Sequence, residues 1–246
     1  MKVFAALSLL IMGSIPNTPH AQQLMNFITR TTIPIVIQCP GCNARNQAKR
    51  SPSAQPAPNP QRGEPVALAN PVELSFATSP ALRKRNFAGF ISGIRANNPG
   101  SADQLQQLLD GAGFSGKLDA RMKAKGLATN NIADAFANYW MSVWLGSRGQ
   151  ASPVSAAQAQ KTQAFAQLML QDNPALADMD DAAKQAVADN LLIQAGLMDI
   201  LIAQTQGNSE QLTQLAQMAR RGASEWGLDL DAMELTADGF VDANRP

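Results

Sequence analysis

Apolar residues recur every three to four positions along most of the chain after residue 79, a spacing that predicts a series of amphipathic α-helices. N-cap side chains and N-terminal prolines predict where seven helices begin: Ser79-Pro80, Ser101, Ser115, Thr129 or Asn130, Ser152-Pro153, Asp180, and Asn208 or Ser209. Breaks in the pattern predict where they end: Asn98-Pro99, 111–113, Gly126, about Ser147, Asn173-Pro174, Gly207 and Gly227. No repeat of fixed period is visible, so a solenoid is not predicted.

The fourth of these helices carries two of the three tryptophans and the only tyrosine. Its apolar positions at helical spacing make one broad face of Ile132, Phe136, Tyr139, Trp140, Val143 and Trp144. This face has two interpretations: a platform on which a ligand stacks, or the inward side of the central core helix. The core interpretation is favoured, because an aromatic stripe at this spacing is ordinarily buried.

The segment after Gly227 combines acidic and apolar residues. If Asp229 and Asp231 are counted as positions one and three of an EF-hand loop, Glu234 falls where the obligatory glycine belongs, so a calcium loop is not predicted. We expect instead an ordered tail with a tight turn at Gly239. The residues expected to pack back on the bundle are Leu228, Leu230, Leu235 and Phe240.

Residues 1–21 have the pattern of a secretory signal peptide. Lys2 precedes an apolar run over residues 3–12, and a helix-breaking patch with Gly13 and Pro16 leads to a cleavage site near Ala21. The apolar run is too short to span a bilayer, so no transmembrane segment is expected in the mature chain. The protein is therefore predicted to be exported, either to the periplasm or to the medium.

Residues 22–70 are predicted to be an N-terminal tail that precedes the helical domain of residues 71–246. Residues 24–28 could form a helical turn, and residues 31–37 are β-like but interrupted by Pro34. From residue 43 to residue 70 the chain is rich in proline and polar residues and has too little apolar surface to offset its ordering entropy. This stretch is predicted to be a disordered linker.

Composition favours an all-α fold with a single bundle of six or seven helices. Aromatic residues make up only 5% of the chain, and the second half is rich in alanine, glutamine and leucine, which suits helix packing better than a β-sandwich. The chain has 20 Lys and Arg against 19 Asp and Glu. Loss of Lys2 with the signal leaves 19 against 19, and a neutral chain argues against non-specific nucleic-acid binding.

The charges are unevenly placed along the chain. The first part is basic, with Arg30, Arg45, Lys49, Arg50, Arg62, Arg83, Lys84, Arg85 and Arg95. The end is acidic, with Glu225, Asp229, Asp231, Glu234, Asp238 and Asp242. These residues are interpreted as solvated faces, with the tail loosely attracted to the acidic end. The alternative is a basic tail that meets anionic envelope lipid or lipopolysaccharide.

Histidine and cysteine usage removes several kinds of chemistry. The only histidine, His20, lies in the predicted signal, so no histidine-based triad or zinc site is expected in the mature protein. Cys39 and Cys42 form a Cys-Pro-Gly-Cys motif, for which a local structural disulfide is favoured in an exported chain. A redox role or an intermolecular tether is the alternative. No catalytic residue, metal site or cofactor is predicted.

Several stretches together resemble a family of uncharacterised, exported bacterial proteins described only as a domain of unknown function. They are Ser79-Pro80-Ala81-Leu82-Arg83, residues 126–140 with ADAFANYW at 133–140, and GLDL at 227–230 leading to LTADGFV at 235–241. The resemblance covers about residues 75–241 and excludes the Cys-Pro-Gly-Cys tail. It implies an all-helical exported domain and brings no activity, cofactor or catalytic residue with it.

Two functional hypotheses follow. The first is a non-enzymatic, envelope-associated or secreted helical protein that binds an unidentified protein or other envelope component. The alternative is a carboxylate-based hydrolase of cell-wall glycan, because glycoside cleavage needs two acids and no histidine. The candidate acids are Asp134 on the aromatic helix and the group Asp229, Asp231 and Glu234.

Overall fold

The computed structural model describes residues 71–96, 99–110, 113–171, 173–225 and 228–243. Its helices are α1 Pro80–Arg95, α2 Pro99–Asp110, α3 Phe114–Ala124, α4 Ile132–Arg148, α5 Ala156–Leu170, the single turn α6 Pro174–Ala177, α7 Asp181–Thr205 and α8 Ser209–Glu225. A 3₁₀ turn at Leu230–Ala232 and the strands β1 Met233–Thr236 and β2 Gly239–Asp242 follow. The predicted all-α bundle is confirmed, with seven helices longer than one turn in the described part of the chain.

Several helices begin where a side chain caps the free N–H groups of the first turn, whereas α3 begins at Phe114, one residue before the predicted Ser115, after Gly113 and without a side-chain cap. The Ser79 hydroxyl accepts from the Leu82 N–H at 3.2 Å, and the Asp180 carboxylate accepts from the Ala183 N–H at 2.8 Å, both at predicted starts. The cap of α4 is Asn131, one residue beyond the predicted Asn130, and it accepts from the Ala133 N–H at 2.8 Å.

The predicted start of the fifth helix at Ser152-Pro153 is wrong. Ser155 and Gln158 form a capping box, in which the Gln158 N–H donates to the Ser155 hydroxyl at 3.2 Å and the Ser155 N–H donates to the Gln158 side chain at 3.0 Å. This reciprocal pair satisfies two free N–H groups, so α5 begins at Ala156. The second helix also begins earlier than predicted, at Pro99 instead of Ser101, because proline is preorganised for the first helical position.

Helices α4 and α7 form the centre of the bundle. They pack against each other, α4 also contacts α5 and α8, and α7 also contacts α1 and α8. Among the described helices, α7 is long and apolar enough to cross a membrane by length and composition, but 72% of its most apolar window is buried inside the bundle. A helix that is apolar on all sides and surrounded by others is a core helix.

The acidic C-terminal segment packs back on the bundle, as predicted. Leu228 and Leu230 are buried, and Leu235 and Phe240 pack against the core. The strands β1 and β2, which were not predicted, pair antiparallel with Thr236 opposite Gly239. The predicted tight turn at Gly239 is confirmed by its φ of 89°.

We expect Gly239→Ala to destabilise the protein by about 1–3 kcal/mol, because alanine disfavours a positive φ. The added Cβ would also lie 3.0 Å from Cβ of Lys161 on α5. Urea denaturation measures the change. Gly93→Ala in α1 is the matched control: its new methyl group meets nothing within 4 Å, and alanine should gain about 0.5–1 kcal/mol in a helix. Equal stability of the two variants would contradict this account of the turn.

The described chain enters the bundle beside the C-terminal end of α5. The Val72 N–H donates to the carbonyl of Gln171, the residue after α5, at 3.2 Å. At the start of α4, the Ile132 N–H donates to the Leu74 carbonyl at 3.0 Å. The Phe76 N–H donates to the Asn130 carbonyl, also at 3.0 Å. Pro71, the first described residue, therefore lies at this corner of the domain. The predicted signal and tail lie outside the described residues.

Candidate functional site

A cluster of aromatic rings extends from the middle of α4 to the surface at α5. Trp140 is 1% exposed, and its ring stacks on Phe240 of β2 with the centroids 4.6 Å apart and the planes at 17°. Phe136 and Phe165 lie 5.9 and 5.6 Å from the same ring. The prediction that the aromatic face of α4 belongs to the core is confirmed, so Phe136 and Trp140 are not available as a platform for a ligand.

The outer edge of this cluster is exposed on α5. Phe165 is 45% exposed and Leu168 is 62% exposed, and they are the large apolar side chains that stand out as exposed in the described part of the chain. Residues three apart on a helix are neighbours on its surface, so these two side chains adjoin, with the exposed Ala164 beside them. We call Ala164, Phe165 and Leu168 the α5 patch. A contiguous apolar patch is more typical of an interaction site than an isolated apolar residue is.

The sequence placed Phe165 and Leu168 in the fifth helix without indicating that they are exposed. The buried stripe of α5 consists of Ala159, Thr162, Ala166 and Leu170. Small side chains at a spacing of three to four let the backbones of α5 and α4 approach closely, which turns the larger Phe165 and Leu168 away from the interface. That small-residue stripe was the signal that could have identified the exposed face.

The neighbouring hairpin is acidic. Between Met233 and Asp242 it contains Glu234, Asp238 and Asp242 and no basic residue, and Glu234 and Asp238 are exposed. The turn at Gly239 rests against Lys161, one helical turn before Phe165. With Lys161 counted against the three acidic residues, the hairpin side of the α5 patch still carries a net negative charge.

Asp134, the first candidate acid, fixes the loop before α4. Its carboxylate accepts from the Ala128 N–H at 2.6 Å and receives a second hydrogen bond from Gln163 of α5. Burial raises the pKa of the Asp134 carboxyl above its ordinary value, although both hydrogen bonds oppose the shift. These contacts give Asp134 a structural role in joining the loop to α5.

We expect Asp134→Asn to remove one contribution that lowers the stability of the protein as the pH rises. Because the folded-state pKa is raised, the folded protein binds more protons than the unfolded chain above the ordinary value of 3.8, so the free energy of unfolding falls as the pH rises through this window. Asparagine keeps an acceptor oxygen and removes the ionisation. Urea denaturation from about pH 4 to pH 7 tests the difference. An unchanged slope in Asp134→Asn would refute the prediction.

The C-terminal acids are held by local contacts. Asp229 caps the 3₁₀ turn by accepting from the Asp231 N–H at 3.1 Å. Both oxygens of Asp231 accept from Nε of Arg220 on α8, at 2.9 and 3.0 Å, and Arg148 lies 3.7 Å away. Glu234 is exposed on β1. Within the described residues, no group of three or more His, Cys, Asp and Glu side chains could hold a metal ion.

The structure does not bring Asp134 together with the C-terminal acids. Asp231 contacts Arg148 at the C-terminal end of α4, whereas Asp134 lies in the first turn of the same helix. A rise of about 1.5 Å per residue separates these two ends by about 20 Å. Two carboxyl groups that cleave a glycoside are only about 5–10 Å apart.

Lys125 and Asn138 form a further polar pair behind the start of α4. The Lys125 ammonium donates to Oδ1 of Asn138 at 2.7 Å, and burial lowers the pKa of the Lys125 amine. Asn138 is itself buried, so the pair joins the end of α3 to α4. The predicted disulfide residues Cys39 and Cys42 lie outside the described residues, as does His20, and the disulfide stays a prediction.

These features define an all-α bundle with a C-terminal β-hairpin and an exposed apolar patch on one outer helix. The chain belongs to the family of unknown function DUF6683, whose model matches residues 8–242. This match is longer than the resemblance over residues 75–241, because it begins within the predicted signal and includes the Cys-Pro-Gly-Cys tail. No curated protein and no solved structure matches the chain.

Proposed function

We propose that this chain is an exported, non-enzymatic protein that binds a partner in the cell envelope or outside the cell through the α5 patch. The observation that carries the proposal is the position of Phe165 and Leu168, adjacent and exposed at the edge of an aromatic cluster whose central ring, Trp140, is buried. The ring of Trp140 supports Phe165 from behind, and Trp140 is in turn held by Phe240. The patch is thus a preorganised surface, which lowers the ordering cost of binding.

The partner that we propose is a protein segment with apolar side chains and a positive charge. An aromatic anchor such as Phe165 contributes most when the partner excludes water from it. The exposed Glu234 and Asp238 of the hairpin favour a basic segment beside the apolar contact. A helix or an extended peptide would meet both requirements.

Export is supported by the signal pattern of residues 1–21 and is tested by the intact mass of the protein purified from its native cells. We expect a mature species that begins near Gln22, recovered outside the cytoplasm. A species that retains Met1 and stays in the cytoplasm would contradict export.

Binding is tested by photo-crosslinking in the native cells. We expect Leu168→benzoylphenylalanine to yield an adduct with one partner that carries an apolar, basic segment. The same probe at Gln167, an exposed position about 100° further round α5, is the matched control and should not yield this adduct.

The partner is then purified, and Phe165→Ser with Leu168→Ser should weaken its binding at least about tenfold. Ala157→Ser with Gln167→Ser should leave the affinity unchanged, and equal weakening by both pairs would refute the role of the patch.

A further inference from the structure

We infer that residues 31–37 of the chain's own tail occupy the α5 patch when no partner is bound. The inference rests on the proposed function, because it names what covers the same surface in the free protein. The occupant is a segment of the same molecule, and a partner must displace it.

The first support is the place where the tail joins the domain. The Val72 N–H bonds the carbonyl of Gln171 at 3.2 Å, and Leu168 lies only three residues earlier on the same helix. The tail therefore starts within about one helical turn, or about 5 Å along the axis, of Leu168.

The second support is the length and composition of the tail. Residues 31–37 contain Ile33, Ile35, Val36 and Ile37 and form the last apolar run before the proline-rich linker. The roughly 35 residues between this run and Val72 are enough to reach the patch, because a flexible coil of that length spans about 30–35 Å and a proline-rich chain spans more. The tether makes docking an intramolecular step, so the segment is present at the α5 patch at an effective concentration that is set by the tether and does not depend on protein concentration. Apolar residues that would otherwise face water then meet an apolar surface.

The third support is charge. From residue 22 to residue 63 the tail contains five basic residues and no acidic residue: Arg30, Arg45, Lys49, Arg50 and Arg62. The hairpin beside the α5 patch carries three acidic residues and no basic one: Glu234, Asp238 and Asp242. The opposite charges of the tail and the hairpin favour docking of the tail and orient its basic residues toward the hairpin.

The test is photo-crosslinking of the purified mature chain with benzoylphenylalanine at Leu168. Trypsin cuts after Arg30 and Arg45, so a docked segment is recovered as one peptide, residues 31–45, joined to the α5 peptide. Mixing isotope-labelled and unlabelled protein separates contacts within one molecule from contacts between two. We expect crosslinks to the 31–45 peptide within single molecules from position 168 and none from the probe at Gln167.

Ile35→Asp with Val36→Asp should reduce the yield of this crosslink at least about tenfold, because docking would bury unpaired carboxylates. Ala54→Asp with Ala57→Asp, which adds the same charge to the linker, should reduce it much less.

The outcomes separate this inference from the proposed function. A crosslink from position 168 to α5 of a second molecule would show that a second copy covers the patch and would overturn the inference. The absence of the 31–45 peptide would also overturn it, while a partner adduct in cells would leave the proposed function standing. A tail crosslink without any partner adduct in cells would support tail docking and refute partner binding. If the tail is displaced on binding, purified partner should lower the yield of the tail crosslink.

Discussion

Trp140→Ala is expected to cost about 3–5 kcal/mol, the usual range for removing a buried tryptophan. The ring is 1% exposed and lies between Phe240, Phe136 and Phe165. Its removal leaves a cavity at the junction of α4, α5 and the hairpin. Because a domain is stable by only about 5–15 kcal/mol, the variant should melt far below wild type or accumulate in insoluble form. Urea denaturation followed by circular dichroism measures the loss.

Two further variants test whether the loss of stability in Trp140→Ala comes from the buried ring. Trp140→Phe should lose much less than Trp140→Ala, because it keeps a ring against Phe240. It also removes an indole N–H that is buried without an acceptor among the described residues. Leu168→Ala on the exposed α5 patch should change stability by no more than about 0.5 kcal/mol. If Trp140→Ala melted like Leu168→Ala, the ring would have to be exposed in solution, and α4 would become the binding surface.

The helical architecture was predictable because its signals are local. A cap such as Ser79 or Asp180 and an apolar spacing of three to four residues act within a few positions of the chain, so seven helices could be read without tertiary information. The start of α5 was missed because Ser155 with Gln158 competes with Ser152-Pro153, and satisfying two N–H groups outweighs one preorganised proline. The hairpin was missed because its strands have four residues each, too few for a clear alternation.

The candidate site was less predictable, because exposure depends on partners that are distant in sequence. Phe165 and Leu168 have the composition of core residues, and only the close approach of α4 along Ala159 and Ala166 turns them outward. The acids illustrate the reverse case. Asp134 was available for chemistry by its type, but its contacts with Ala128 and Gln163 make it a structural residue. Residue type indicated what the side chains could do, and tertiary packing decided which of them are available.

The second large effect is expected at the ion pair between α1 and α7. Nε of Arg83 donates to Asp189 at 2.9 Å, and the guanidinium also reaches Asp119 at 3.3 Å and the Thr129 carbonyl at 3.2 Å. Asp189 is completely buried. Removing the cation by Arg83→Met leaves a buried carboxylate without a counter-charge, which should cost about 3–5 kcal/mol.

The loss of stability in Arg83→Met should depend on the charge of Asp189 rather than on the volume of the Arg83 side chain. The second oxygen of Asp189 accepts from Asn86 at 2.8 Å and from Gln185 at 3.3 Å, and these neutral donors cannot replace a cation. Asp189→Asn should therefore recover part of the stability that Arg83→Met loses, which a double-mutant cycle measures. Arg95→Met is the surface control, because the side chains of Arg95 and Asp103 are 45% and 68% exposed and such a pair contributes less than about 1 kcal/mol. If Arg83→Met were as mild as Arg95→Met, α1 would not be fastened to α7 through Asp189, and the packing of Phe90, Ile91 and Ile94 would have to hold it instead.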